Sequence, residues 1–152
     1  MSVTIPAVVT DVGRAKWPKI LMGQVPFSGI AAFRVGEGGW IDPGTGAVRR
    51  MPDATLTNLD CIVNPSRYPV TGRAWAEFAV GAGDFTFVAP SSAKVRCFLD
   101  FGDFNDDGFG NFPEIWEIAI FDSDGDMLAY GTFPKQIKDP TKEIENFVSI
   151  SF

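Results

Sequence analysis

Residues 103–114 read DFNDDGFGNFPE and fit every fixed position of the pattern D-x-[DN]-x-[DN]-G-x5-E, the calcium loop of an EF-hand. An EF-hand needs a helix on each side of that loop, because the helix pair carries the motion a calcium sensor transmits. Both flanks here are strand-like. Residues 94–101, KVRCFLDF, are dense in valine, leucine and phenylalanine at β spacing, and residues 114–122, EIWEIAIFD, form a bulky apolar run. The sequence therefore predicts a β domain in which the acidic stretch is a hairpin loop, its Asn, Asp and Gly residues turning the chain and bonding its own backbone. A narrower chemical reading stays beside it. Asp103, Asn105 and Asp107 at alternate positions, with Glu114 to close the shell, could wrap a calcium ion in oxygen ligands, although Pro113 restricts how Glu114 closes. The turn reading is preferred, and no cofactor is expected.

Working outward, residues 73–81 (RAWAEFAVG), 84–90 (DFTFVAP), 126–133 (DMLAYGTF) and 145–152 (ENFVSISF) supply further strands. Along the first of these, Ala74, Ala76, Phe78 and Val80 share one face, as in a half-buried strand. The Asp-Gly step in DSDGDM marks a tight hairpin, and that turn accounts for Asp122, Asp124 and Asp126 without a metal. At the amino terminus SVTIPAVVT predicts a strand that Pro6 confines to an edge or a bulge. A short, interrupted helix follows, capped by Asp11, disturbed by Pro18 and closed by Gly23. The fold class is mainly β (α+β): an antiparallel β-sandwich-like domain with one short N-terminal helix and a long irregular arm over 36–58. Its 152 residues form a single domain spanning 1–152.

Composition removes several function classes. The formal charge is −6, which sets the average field of the molecule against nucleic acid. No histidine is present, so Ser-His-Asp and Cys-His constellations are excluded, and the GEGG at 36–39 lacks the Lys-Ser/Thr of a phosphate cradle. A glycosidase built on paired carboxylates has no identifiable pair, so no enzymatic role is expected. Cys61 and Cys97 lie in apolar text and read as buried thiols, their pairing left open. No run of roughly eighteen apolar residues and no secretory leader occur, and no membrane partner is expected. Fourteen phenylalanines suit a β core or an assembly contact. The arm invites the second reading: Trp40, with Ile41 and Pro43, forms an intersubunit anchor, or Trp40 folds back over its own sheet.

Two blocks carry a resemblance. Residues 13–40, GRAKWPKILMGQVPFSGIAAFRVGEGGW, running on to MPDATLTNLD at 51–60, resemble the amino-terminal region of bacteriophage tail fibre and tail-collar proteins. Residues 112–138, FPEIWEIAIFDSDGDMLAYGTFPKQIK, are similar to that family's strand, Asp-Gly turn and apolar strand with a following proline. The resemblance implies a structural virion component of a phage tail or baseplate, a fibre-attachment adaptor. Such a protein assembles in the host cytoplasm, forms homo-oligomers and contacts other tail, baseplate or fibre proteins. The chain stops after its last strand, so a fibre shaft is expected on another polypeptide, and Trp17-Pro18 departs from the family's helix. The alternative is a calcium-dependent, carbohydrate-binding β module using the loop at 103–114.

Overall fold

A computed structural model describes residues 2–23, 29–38, 54–59, 75–89, 92–107 and 110–151. Eight strands and one α-helix follow each other as β1 (Ser2–Val9), α1 (Asp11–Leu21), β2 (Ile30–Gly36), β3 (Trp75–Ala79), β4 (Phe85–Ala89), β5 (Ser92–Leu99), β6 (Glu114–Asp122), β7 (Met127–Ile137) and β8 (Ile144–Ser151). The protein is mainly β, and its described residues form a curled mixed sheet with a single short α-helix. The sheet order is β3-β2-β6-β7-β1-β8-β5-β4. None of the described helices is long and apolar enough to cross a membrane.

The curl originates in β1. Its residues Ser2–Ala7 run parallel to β8, whereas Val8 and Val9 pair antiparallel with Tyr130 and Ala129 of β7. One strand thus serves both halves of the sheet, and the parallel β1–β8 pair is the departure from all-antiparallel pairing. Pro6 was expected to confine its strand to an edge or a bulge, but β1 is internal, between β7 and β8. The position tolerates proline because the ladder to β7 begins beyond it, at Val8.

Curling brings one face of both halves onto a common core. Ile5 of β1, Val35 of β2, Val95 and Leu99 of β5, Ile118 and Ile120 of β6, and Val148 and Ile150 of β8 meet there. Alternation does the sorting: in β8, Ile144, Asn146, Val148 and Ile150 are buried while Ser151 is exposed. The asparagine is not wasted, since its amide exchanges two hydrogen bonds with that of Gln136, at 2.9 and 3.0 Å. Phe78 stacks against Phe33 with ring centroids 5.5 Å apart, on the face expected of it. Cys97 is buried in the core with its thiol free, and burial pushes that thiol's pKa up. Cys61 lies outside the described residues.

Strand β6 is buried along both faces. Alternation turns Ile118 and Ile120 to the main core and Ala119 and Phe121 to the other side, and a register shift against β7 between Ile115 and Glu117 lets Ile115 join the main core as well. That second face is covered by Leu56 and Leu59 from the far end of the arm. Arg34 holds the cover down: Nη1 donates to Asn58 Oδ1 at 3.0 Å, and its guanidinium lies 4.0 Å from the Phe121 ring centroid. Residues 54–59 therefore pack onto the sheet and do not protrude. Residues 39–53, with Trp40, Ile41 and Pro43, lie outside the described residues.

The helix is joined to β1 by Thr10, which takes the capping role expected of Asp11. Thr10 Oγ1 accepts from Gly13 N at 3.1 Å and donates to Met127 O at 2.5 Å, so one buried hydroxyl satisfies the helix end and the sheet together. The helix was expected to be interrupted at Pro18, but it runs unbroken from Asp11 to Leu21 with Pro18 inside it; Gly23 beyond its end adopts a left-handed φ of 72°, as anticipated. Gly13 is required by contact: a Cβ there would lie 2.9 Å from the Leu128 carbonyl oxygen. Alanine would ordinarily favour a helix, but here overpacking against backbone dominates, and Gly13→Ala is expected to cost about 1–3 kcal/mol. A urea melt checks this; a midpoint unchanged or raised refutes the close-approach account.

Candidate functional site

The acidic loop joins β5 to β6, and both flanks are strands, as read from the text. It is not a hairpin. Strands β5 and β6 are separated in the sheet by β7, β1 and β8, so the loop crosses from one half of the curled sheet to the other. Hairpin and crossover share the same turn chemistry, and only the pairing of the strands tells them apart.

Each residue predicted as a calcium ligand is engaged within the protein. Asp103 Oδ2 accepts from Asp100 N at 2.9 Å, and Asp107 Oδ1 accepts from Asn111 N at 3.2 Å. Asn105 Nδ2 donates to Phe101 O at 2.7 Å, and its Oδ1 accepts from Lys138 Nζ at 2.8 Å. Glu114 opens β6, where its backbone N donates to the buried Glu37 at 2.6 Å, and its Oε1 lies 3.8 Å from Lys135 Nζ. Among the described residues, Asp103, Asp107 and Glu114 do not converge as three carboxylates on one point. Phe104, between the first two ligand positions, holds φ at 50° and packs its ring toward the core. Left-handed backbone is costly for an aromatic residue, and burial of the ring offsets that cost.

The cation against this loop is Lys138, directly after β7 and fully buried. Its backbone N donates to Pro113 O at 3.0 Å. Its Nζ reaches Asn105 Oδ1, Asp139 O at 3.2 Å and Phe101 O at 3.4 Å. Burial lowers its pKa below the ordinary 10.5, against the attraction of Asp103, Asp139 and Asp100. The ammonium uses the carbonyl and amide oxygens that a metal ion would seek.

A second lysine does the same at the β6–β7 hairpin. Asp122, Asp124 and Asp126 bring their carboxylates within 4.8 Å of one another, the one such acidic group among the described residues. Lys16 Nζ stands among them at 2.5, 2.8 and 2.9 Å respectively. Asp122 Oδ1 accepts from both Asp124 N and Asp126 N, and Gly125 supplies a φ of 85°, so the turn itself aims the carboxylates inward. Burial works against the Lys16 charge, but hydrogen bonds to the three aspartates outweigh it and raise the pKa. Sequence reading explained this cluster by its turn and missed Lys16, which lies more than a hundred residues away.

Beside the Lys138 end of the loop is an open cavity of about 390 Å³, lined by Asn105, Asp106, Asn111, Phe112, Glu114 and Ile137. Two of its lining side chains are apolar and exposed, Phe112 at 53 % and Ile137 at 40 %; the other large apolar residues exposed among those described are Phe101 and Met22. The text carried no signal for this gathering. Ile137 sits on a strand whose alternation predicts burial or exposure but not which loop lies beside it.

No protein-family model matches this chain, and comparison with the curated proteins and with the solved structures found no match.

The two lysines respond to pH with opposite signs. Lys16, with its folded pKa raised, contributes stability that is complete below 10.5 and is lost only above that value. Replacing it leaves Asp122, its side chain 2 % exposed, without its cation, and Lys16→Met is expected to cost about 3 kcal/mol near neutral pH. Chemical denaturation measures this, and a loss indistinguishable from that of an exposed-lysine control refutes it. Lys138, with its folded pKa lowered, opposes folding most below that pKa, and the penalty fades as pH climbs towards 10.5. The stability difference between wild type and Lys138→Met should therefore shift in favour of wild type along that climb. A difference that stays flat with pH would show that Lys138 is not held as described.

Proposed function

We propose that this protein is a non-enzymatic structural component of a bacteriophage tail, an adaptor that attaches baseplate or fibre proteins through intersubunit contacts in the virion. The observation that carries the reading is the end of the sheet at which Phe112 and Ile137 stand exposed together in the wall of a cavity. Contiguous exposed apolar groups with a polar rim mark interaction surfaces on proteins that otherwise bury such side chains. The frame behind that surface suits a building block. A curled sheet with a shared core, one strand buried on both faces and acidic turns each gripped by a lysine offers little that moves. The resemblance of residues 13–40, 51–60 and 112–138 to tail fibre and tail-collar proteins supplies the biological setting.

Light-scattering mass measurement, followed by mixing with the candidate tail, baseplate and fibre proteins of the same phage, tests this reading. Formation of a homo-oligomer, or of a defined complex with one of those proteins, is expected. A strict monomer that joins none of them overturns it.

A further inference from the structure

We propose that Lys138 and Asn105 form a covalent cross-link, an isopeptide bond between Nζ and the side-chain carbonyl carbon Cγ, made by the protein on itself with release of ammonia. The bond fastens the start of the crossing loop to the end of β7. It stands apart from the adaptor reading.

The two side chains are set out as reactants. Lys138 is fully buried, and its Nζ lies 2.8 Å from Asn105 Oδ1. A carbonyl bond is about 1.2 Å long, so Nζ stands within about 4 Å of Cγ, close to the roughly 3–3.5 Å of an attacking pair. The amide has one orientation open to it. Phe101 O only accepts and takes Nδ2 at 2.7 Å, whereas an ammonium only donates and so faces Oδ1.

A lysine attacks only as the neutral amine, and this site favours that form. Burial lowers the Lys138 pKa. Its ammonium has three hydrogens, and three oxygens surround it: Asn105 Oδ1, Asp139 O at 3.2 Å and Phe101 O at 3.4 Å. When one proton leaves, the two that remain stay with the backbone carbonyls, and the lone pair turns to Asn105. Lys16 makes the opposite case, since its partners are carboxylates that hold it charged.

The step needs no co-reactant. Nζ gives up one proton, its lone pair forms the Nζ–Cγ bond, and the same nitrogen then gives up a second proton. The Cγ–Nδ2 bond breaks with its electron pair on Nδ2, which takes both protons and leaves as ammonium. One amide replaces another, and nothing is oxidised or reduced. Asp103, the carboxylate that attracts the Lys138 charge most strongly, carries the protons across. Asn105 also lies in the wall of the open cavity, which gives the ammonium a way out to solvent. The structure shows the pair before this step. A linked Lys138 has no charge to titrate, so the pH dependence of its ammonium belongs to the unlinked chain.

Intact-mass measurement on the purified, denatured chain is the test. A mass lower by one ammonia than that of the unlinked chain is expected, together with a branched peptide joining Asn105 to Lys138 after digestion at acidic residues. Asn105→Ala and Lys138→Arg should each abolish both signals. Asp103→Asn keeps an oxygen for Asp100 N, so the turn holds while linking of freshly made protein slows about a hundredfold. The wild-type chain decides the matter even where a variant fails to fold. Full mass with both residues in linear peptides, after long incubation of the folded protein, overturns the inference. So does ammonia loss without the branched peptide, the mark of an asparagine cyclising on its own backbone, and so does loss of water with Lys138 joined to an aspartate. Linking of Asp103→Asn at the wild-type rate refutes the proton-carrying role.

Discussion

Three carboxylates within 4.8 Å of one another repel, and Lys16 offsets that repulsion by reaching into Asp122, Asp124 and Asp126 from the middle of the helix. Much of the described structure is arranged by that contact. It sets the helix against β7 closely enough that only glycine fits at position 13. The helix start in turn receives the arm, through Asp11 N donating to Ala54 O at 2.8 Å. The arm end then lays Leu56 and Leu59 over Phe121 and Tyr130. A charge contact of modest size thus aligns the apolar surfaces whose burial supplies the greater part of the stability.

The far end of the β6–β7 pair uses a different balance. Lys138 is wholly buried, and the oxygens it touches directly belong to an amide and two backbone carbonyls. Such an arrangement ranks low as a source of stability, because desolvating an ammonium offsets most of what its hydrogen bonds return. Its contribution is to shape. The lysine ties the crossing loop to the end of β7 and so fixes where Phe101, Phe112 and Ile137 emerge. The two ends of one strand pair therefore divide the work, with the helix end closing the fold and the loop end presenting a surface.

The acidic loop shows how a pattern can be right in composition and silent in meaning. Spacing of Asp103, Asn105, Asp107, Gly108 and Glu114 matches an ion-binding loop, yet the described side chains are answered by the loop's own backbone and by a distant lysine. Asp103 serves Asp100, Asp107 serves Asn111, Asn105 serves Lys138, and Glu114 belongs to a strand. Backbone turns and cation shells ask for the same oxygen-rich residues, so the one-dimensional pattern cannot separate them.

Local text determined the elements. Strand alternation and β-branched density located β5, β6, β7 and β8 to within a few residues, Asp-Gly marked the β6–β7 turn, and Gly23 ended the helix, because each is a property of neighbouring residues and short-range sterics. Tertiary structure alone decided the rest. It made β1 an internal strand with a parallel neighbour, turned an expected hairpin into a crossover, gave the cap to Thr10, and brought Lys16 and Lys138 to acidic turns far away in sequence. Those outcomes depend on which strands pair across long loops, and a side chain's partner in space carries no mark in the residues beside it.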